Sequence, residues 1–145
     1  MMKTIALSAA LSIALVGVAS AKVVNWSAKL DQAQETVVKT KDAKAMGTAK
    51  GTLDTTSGEM TWTITWSGLT GPAKAMHFHG PAKMGKVAGV QLNIGSASGL
   101  KSPSKGMAKL PADQVKQVMD GLWYINIHTA ANPAGELRGQ VMVGM

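Results

Sequence analysis

Apolar and polar residues alternate along much of the chain, and this pattern predicts strands. The clearest case is residues 60–66, where Met60, Trp62, Ile64 and Trp66 occupy every second position and threonines fill the positions between them. Period-two alternation is typical of a half-buried strand. We therefore expect the Met/Trp/Ile/Trp face to belong to the core and the threonine face to meet water.

Six more segments are predicted to be strands, because short apolar runs are separated there by turn residues. They are residues 23–30, 46–53, 75–79, 87–94, 122–128 and 136–143. Residues 96–105, rich in Ser, Gly and Lys, are predicted to be a loop. Residues 110–121 are the one predicted helix, with Pro111 near its start and Gly121 at its end. Seven short strands and one short helix predict an all-β fold, an antiparallel β-sandwich or barrel.

The first 21 residues have the organisation of a secretory signal peptide. Lys3 supplies a positive start, residues 5–18 are apolar, and Ala19-Ser20-Ala21 is a small-x-small cleavage site. The apolar run is shorter than the roughly 20 residues that span a bilayer, so we predict cleavage after Ala21 and no transmembrane anchor. Residues 22–145 are expected to form a single domain that is periplasmic or secreted in a bacterium.

Composition narrows the chemistry further. The chain has no Cys, which excludes disulfides, thiol catalysis and Cys-ligated zinc or iron–sulfur clusters. Its 15 basic and 8 acidic residues give a formal charge of +7, yet the lysines never form a run and are not interleaved with aromatic residues. We therefore expect no nucleic-acid partner and interpret most lysines as a solvated surface that would also favour small anions.

The three histidines are the candidates for chemistry. His77 and His79 are two residues apart in a predicted strand and share one face, whereas Phe78 lies on the other face. The same alternation in the strand at 122–128 directs His128 outward. An HxH pair and a third imidazole would provide three nitrogen ligands suited to copper or zinc. The alternative is that these histidines are surface residues or bond to their own loops.

Methionine thioethers prefer Cu(I), so they offer a second route to copper. Met84 follows the HxH pair closely in the sequence. Met60, Met76 and Met119 are on apolar faces and are interpreted as core residues. A methionine copper site is therefore only weakly indicated.

Four sequence runs resemble the CHRD domain, the module named after chordin. They are residues 68–72 (GLTGP), 77–82 (HFHGPA), 126–129 (NIHT) and 132–140 (NPAGELRGQ). The resemblance extends from about residue 26 to residue 143 and assigns residues 22–145 to one CHRD domain. In animals the family implies an extracellular interaction module of a growth-factor antagonist.

A weaker resemblance is to the copper-zinc superoxide dismutases, which are Greek-key β-sandwiches. It implies that the fold is a sandwich of the superoxide dismutase or immunoglobulin kind. It also implies that His77, His79 and His128 are copper ligands and that Arg138 guides the anion. The chain departs from that family because it has no bridging fourth histidine, no zinc-binding loop and no Cys pair. The resemblance therefore implies only the copper half of the site.

The position of Arg138 depends on the register of the C-terminal hairpin. The sequence Asn132-Pro133-Ala134-Gly135 predicts a type I turn. Direct closure on this turn places Thr129 opposite Arg138, and Arg138 then faces away from His128. One extra residue in a bulge reverses the face. Arg138 is therefore either an anion guide or a structural arginine paired with Glu136 or a carbonyl.

Two functions follow from these observations. The first is an exported CHRD domain that binds copper, or alternatively zinc, through His77, His79 and His128, with superoxide dismutase-like redox chemistry as an extension. The second is a non-enzymatic extracytoplasmic module that binds an envelope or extracellular protein and no metal. The first needs three imidazole nitrogens within roughly 2.0–2.1 Å of one point, whereas the second tolerates glutamine at all three positions.

Overall fold

The computed structural model describes residues 22–39 and 44–144, and the predicted signal peptide lies outside the described residues. Within these ranges the chain forms nine strands and two short helices. In chain order they are β1 (Val23–Asp31), β2 (Met46–Asp54), β3 (Glu59–Ser67), β4 (Ala73–His79), β5 (Val90–Asn93), α1 (Ile94–Ser98), β6 (Ser104–Lys109), α2 (Ala112–Met119), β7 (Tyr124–Thr129), β8 (Leu137–Gln140) and β9 (Met142–Val143).

The strands form one curled antiparallel sheet with the order β5-β4-β7-β8-β1-β2-β3-β6, and β9 pairs with β1. Curling brings the two halves of the sheet face to face. The rings of Trp26 on β1 and Trp62 on β3 meet Phe78 on β4 edge-on, with centroids 5.9 and 5.7 Å apart. The predicted all-β antiparallel fold is confirmed, and its core lies between the two halves.

Buried and more exposed side chains alternate along β3, as the sequence predicts. Met60, Trp62 and Ile64 are buried, Trp66 is partly buried and Thr65 is exposed. The apolar face of β3 therefore forms part of the inner wall of the sandwich, as its period of two predicts.

The segment between β5 and α2 differs from the prediction. Residues 96–105 were expected to be a loop, but α1 ends within them and β6 begins at Ser104. The Asn93 side chain caps α1 by accepting a hydrogen bond from the Ser96 amide. Gly106 allows β6 to pack on Trp62, because a Cβ there would lie 2.6 Å from the indole ring. Small residues such as Gly106 give β6 no visible alternation of apolar and polar positions. The described residues also form two short helices where one was expected.

Among the described residues, no helix has the length and apolar character needed to cross a membrane.

Candidate functional site

Strands β4 and β7 are neighbours and place all three histidines on the outer face of the sandwich. Asn126 is opposite His77 and Ala75 is opposite His128, so His77 and His128 are diagonal neighbours. His79 lies two residues further along β4. On the inner face of the same strands, Phe78 is fully buried. The alternation thus separates the histidines from the core, as the sequence indicates, although each histidine is partly buried.

The three imidazoles form a compact cluster. One nitrogen from each ring can be chosen so that all three lie within 4.8 Å of one another. His77 Nδ1 and His128 Nε2 are 3.3 Å apart. The ring centroid of His77 is 5.5 Å from that of His79 and 5.2 Å from that of His128. We call His77, His79 and His128 the histidine cluster.

Backbone carbonyls fix the tautomers of two of these rings. His79 Nδ1 lies 3.0 Å from the Ala88 carbonyl, and His128 Nδ1 lies 2.9 Å from the Pro133 carbonyl. A carbonyl oxygen only accepts, so in both rings Nδ1 carries the proton and Nε2 keeps its lone pair. His79 Nε2 is buried and has no hydrogen-bond partner. Carbonyl partners of this kind orient histidine ligands in many metal sites.

The surroundings of His77 and His79 favour the neutral imidazole. Burial, followed by repulsion from His128 and His79, lowers the pKa of His77 below its usual value. Burial also lowers the pKa of His79, against the hydrogen bond to Ala88 that raises it, and the charges of His128 and Arg138 lower it further. A metal ion requires the neutral form of histidine, so these two rings have little imidazolium proton to release, although the same burial and positive charges also act against a bound cation.

The spacing is close to what an ion requires. Nitrogens bound at roughly 2.0–2.1 Å in a tetrahedral arrangement are about 3.4 Å apart. His77 Nδ1 and His128 Nε2 are already 3.3 Å apart, joined by a hydrogen bond whose proton on His77 Nδ1 a bound ion would replace. The nitrogens of the cluster that are farthest apart lie within 4.8 Å of each other. Small side-chain rotations can bring them closer by the roughly 1 Å that a shared ion requires. The donor set therefore fits one ion with three nitrogen ligands and a free position.

The register of β7 and β8 places Arg138 on the same face as the histidine cluster. In the structure Asn126 is opposite Arg138, whereas direct closure of the hairpin would place Thr129 there. The pairing is therefore shifted by three residues. The turn itself is present, because the Gly135 amide donates to the Asn132 carbonyl at 3.1 Å. An odd offset exchanges the two faces of a strand. Direct closure predicts that Arg138 faces away from His128, and this is wrong. Arg138 shares the face of Asn126 and His128.

Arg138 is buried, with 1% of its surface exposed. Its Nη2 donates to the Lys86 carbonyl at 2.6 Å, and the guanidinium lies 3.6 Å from the ring centroid of Tyr124. The Tyr124 ring in turn stacks on His79 at 4.9 Å with an angle of 5° between the rings. These contacts match the alternative of a structural arginine paired with a carbonyl. The role of Arg138 as an anion guide stays a prediction.

Tyr124 and Asn126 share the outer face of β7 with His128. Their exposed fractions are nevertheless only 4% and 3%. The Tyr124 hydroxyl is hydrogen-bonded to both the amide and the carbonyl of Ala88, and Asn126 donates to Glu35. The loops that contain Glu35 and Ala88 therefore cover this part of β7.

A pocket of about 190 Å³ adjoins the histidine cluster and is lined by His79, His128, Arg138 and Glu35, among others. Burial raises the pKa of Glu35 to about 7, although the charge of Arg138 and the hydrogen bond from Asn126 lower it. Glu35 is not identifiable as a site residue from the sequence, since an acid in a polar loop between strands is ordinarily a surface residue. In the structure a hydrogen bond from Asn126, which is 91 positions away in the sequence, holds Glu35 at the pocket.

Glu136 is the acid that the sequence offers as an alternative partner of Arg138, and its hydrogen bonds are to other residues. It is fully buried and accepts hydrogen bonds from the Thr70 amide and hydroxyl, the Thr129 hydroxyl and the Asn132 side chain. Burial alone would raise the pKa of Glu136, but these hydrogen bonds outweigh it and lower the pKa. Glu136 thus joins the loop before β4 to the β7–β8 loop, which carries the Pro133 carbonyl that orients His128.

The fold and the cluster define a class of protein: a β-sandwich domain with three imidazoles on the outer face of two neighbouring strands. The sequence profile of the CHRD domain matches residues 26–141, and the chain therefore belongs to the CHRD domain family. The resemblance found in the sequence is confirmed. CHRD domains are in general extracellular and serve protein interaction. Comparison with curated proteins and with solved structures gave no match.

Proposed function

We propose that this CHRD domain binds one copper-type metal ion through His77, His79 and His128. The observation that carries the proposal is the convergence of three imidazole nitrogens within 4.8 Å. The carbonyls of Ala88 and Pro133, which fix the tautomers of His79 and His128, also support the proposal. An unpartnered, buried Nε2 on His79 is costly for a structure that has no ligand for it.

Copper is the first choice and zinc the second. Imidazole nitrogens suit both metals, and copper lies above zinc in the order of affinity of divalent ions for such ligands. Three protein ligands leave a position for water or a small anion, as in zinc sites that are catalytic rather than structural. Superoxide chemistry would additionally need reversible cycling between Cu(II) and Cu(I) at that position, and it is proposed only as an extension of metal binding.

The test is a calorimetric titration, in which Cu(II), Cu(I) or Zn(II) is added to the metal-free protein and the heat of binding is measured. We expect one ion per chain in the wild type. Each single variant, His77→Gln, His79→Gln or His128→Gln, should lose about 100-fold or more in affinity, and the triple variant should lose specific binding. Met84→Leu is the control, because Met84 is exposed and lies outside the cluster, so its removal should leave the affinity unchanged.

The same titration separates the two functions considered above. Weak binding that is equal in the wild type and the triple variant would remove the metal proposal and leave an extracellular interaction module. If copper binds at the cluster, a superoxide assay of the copper-loaded protein, with and without Arg138→Gln, tests the redox extension. Unchanged activity in that variant would contradict a role of Arg138 as anion guide.

A further inference from the structure

The sheet gathers lysines that are scattered in the sequence. Lys29 lies on β1, Lys50 on β2 and Lys105 on β6, and all three are exposed on the outer face of the half-sheet β1-β2-β3-β6. The strand register arranges them in neighbouring rows. Ser27, Lys50, Thr63 and Lys105 form one row, and Lys29, Thr48 and Thr65 form the next. We call these two rows the lysine face.

Positive charge exceeds negative charge on the lysine face. Neither row contains a carboxylate. The acids on this side lie in the rows beyond: Asp31 follows Lys29 on the same face of β1 and is opposite Met46, and Asp54 and Glu59 are opposite Val23 and Lys109. Within the part of the chain that the structure describes, the one salt bridge joins Lys116 and Asp120 in α2 and involves none of these lysines. The ammonium groups are therefore available to an external partner.

The spacing of the charges suits an extended partner. Neighbouring strands are about 4.8 Å apart, so Lys50 and Lys105, with Thr63 between them, are separated by roughly 10 Å. Lys29 is a diagonal neighbour of Lys50, at about 7–8 Å. Charges spread in this way, each on its own flexible lysine stem, can contact successive acidic groups of a polymer.

Hydroxyl groups fill the space between the charges. A shallow groove of about 490 Å³ crosses β1, β2 and β3 at this face, and its polar lining includes Ser27, Lys50, Thr52, Thr61 and Thr63. Hydroxyl groups both donate and accept hydrogen bonds, as the hydroxyls of a sugar do. The Thr52 and Thr61 hydroxyls bond each other at 2.8 Å, so the groove offers the hydroxyls of Ser27 and Thr63 as neutral polar contacts in addition to charge.

We propose that the lysine face binds an acidic polysaccharide, with its carboxylate groups on the lysines and its sugar hydroxyls on Ser27 and Thr63 of the groove. A membrane surface fits less well, because interfacial binding needs exposed Trp, Phe or Leu, which the two rows lack. Single-stranded nucleic acid also fits less well, because its bases stack on exposed aromatic rings. The face lies on the opposite half of the sandwich from the histidine cluster, so this inference does not depend on the metal proposal.

The experiment measures binding of the whole protein to polygalacturonate, with neutral dextran, polyphosphate and phosphatidylglycerol vesicles as comparisons. The triple variant Lys29→Gln/Lys50→Gln/Lys105→Gln should lose about 10-fold in affinity for polygalacturonate. The triple variant Lys74→Gln/Lys83→Gln/Lys86→Gln removes the same charge from other positions and should lose less than about threefold. Unchanged unfolding midpoints of both variants show that neither substitution disturbs the fold.

A hydroxyl variant separates a polysaccharide from any other polyanion. Thr63→Val keeps the charge and should weaken binding of polygalacturonate by about threefold, without affecting polyphosphate, which has no sugar hydroxyls. The proposal is overturned by equal losses in the two lysine variants, by a Thr63→Val variant that binds polygalacturonate normally, or by absence of polygalacturonate binding at low ionic strength. Vesicle binding as tight as polygalacturonate binding would identify a membrane partner instead.

Discussion

Two carboxyl groups, the buried Glu136 and the partly buried Glu35, show how the surroundings of a residue decide its charge. Glu136 accepts four hydrogen bonds and its pKa is lowered, whereas the pKa of Glu35 is raised to about 7 because burial outweighs Arg138 and Asn126. The number of donors that reach each carboxylate explains the difference. Glu136 is therefore expected to be ionised in the folded protein at neutral pH, and Glu35 is expected to be divided between its two forms.

The first prediction concerns Glu35→Gln and the dependence of stability on pH. The folded chain holds the Glu35 proton more tightly than the unfolded chain, so the contribution of this group to stability is full below about pH 4.5 and is lost as the pH rises to about 7. Such a difference in pKa corresponds to at most about 3 kcal/mol. Glutamine does not titrate, so the variant should equal the wild type at pH 4.5 and exceed it in stability at pH 8.

The measurement is urea unfolding of both proteins at the two pH values. Comparing the variant with the wild type at each pH cancels the titration of the histidines to a first approximation. A difference in unfolding free energy that is the same at both pH values would show that Glu35 is not held in the protonated form.

The second prediction is that Glu136→Gln lowers the free energy of unfolding by about 2–4 kcal/mol. The amide group of glutamine would face donors from Thr70, Thr129 and Asn132 that now meet a carboxylate. Glu59→Gln is the control, because Glu59 is exposed on β3 and should change stability by less than about 0.5 kcal/mol. Chemical unfolding measures both, and equal effects would contradict the role given to Glu136.

At the level of elements, predictability from sequence follows the size of the side chains. β3 is recognised from the sequence because Met60, Trp62 and Ile64 are large and regularly spaced, and the histidine pair is placed on one face by the same reasoning. β6 is not recognised, because Gly106 and Ala108 give its inner face no apolar signal. The register of β8 is also hidden, since it depends on how the loop before it folds around Glu136.

Glycine contributes to the pairing of β2 with β3. A Cβ on Gly51 would lie 1.8 Å from the Thr61 carbonyl oxygen, which also accepts a hydrogen bond from the Trp26 indole at 3.1 Å. We predict that Gly51→Ala destabilises the protein by about 3 kcal/mol or more, because backbone has to move. Gly71→Ala is the matched substitution, since no atom lies within 4 Å of its Cβ position.

Thermal unfolding of the two glycine variants checks this prediction. The midpoint of Gly71→Ala should stay close to that of the wild type, and the midpoint of Gly51→Ala should fall by several degrees. Similar midpoints for the two variants would mean that β2 and β3 can separate locally at little cost.

At the level of the whole molecule, four aromatic rings join the two halves of the sandwich. Phe78 contacts Trp26, Trp62 and Trp123, with centroids 5.7–5.9 Å apart. Its neighbours on the same strand, His77 and His79, lie on the outer face. The packing of the core therefore holds β4 in place and, with it, the spacing of the histidine cluster.

The coupling of metal binding to folding gives the fourth prediction. The unfolded chain does not hold the three histidines together, so an ion bound at the cluster stabilises the folded state. At a free metal concentration 100 times the Kd, the free energy of unfolding should rise by about 2.7 kcal/mol. His128→Gln, with its affinity about 100-fold lower, should reduce the increase to about 0.4 kcal/mol or less, and urea unfolding with and without metal measures it. An equal increase in that variant would place the stabilising ion elsewhere.

The offset between β7 and β8 has a consequence for how this domain can diverge. A deletion or insertion of one residue between Thr129 and Glu136 would rotate all of β8 by half a turn, directing Leu137 outward and the Arg138 guanidinium into the core. Changes of two residues would keep both strands facing as they do now. Length variation in this loop is thus expected in even steps, and odd steps should be tolerated only where a compensating bulge has arisen in β7 or β8.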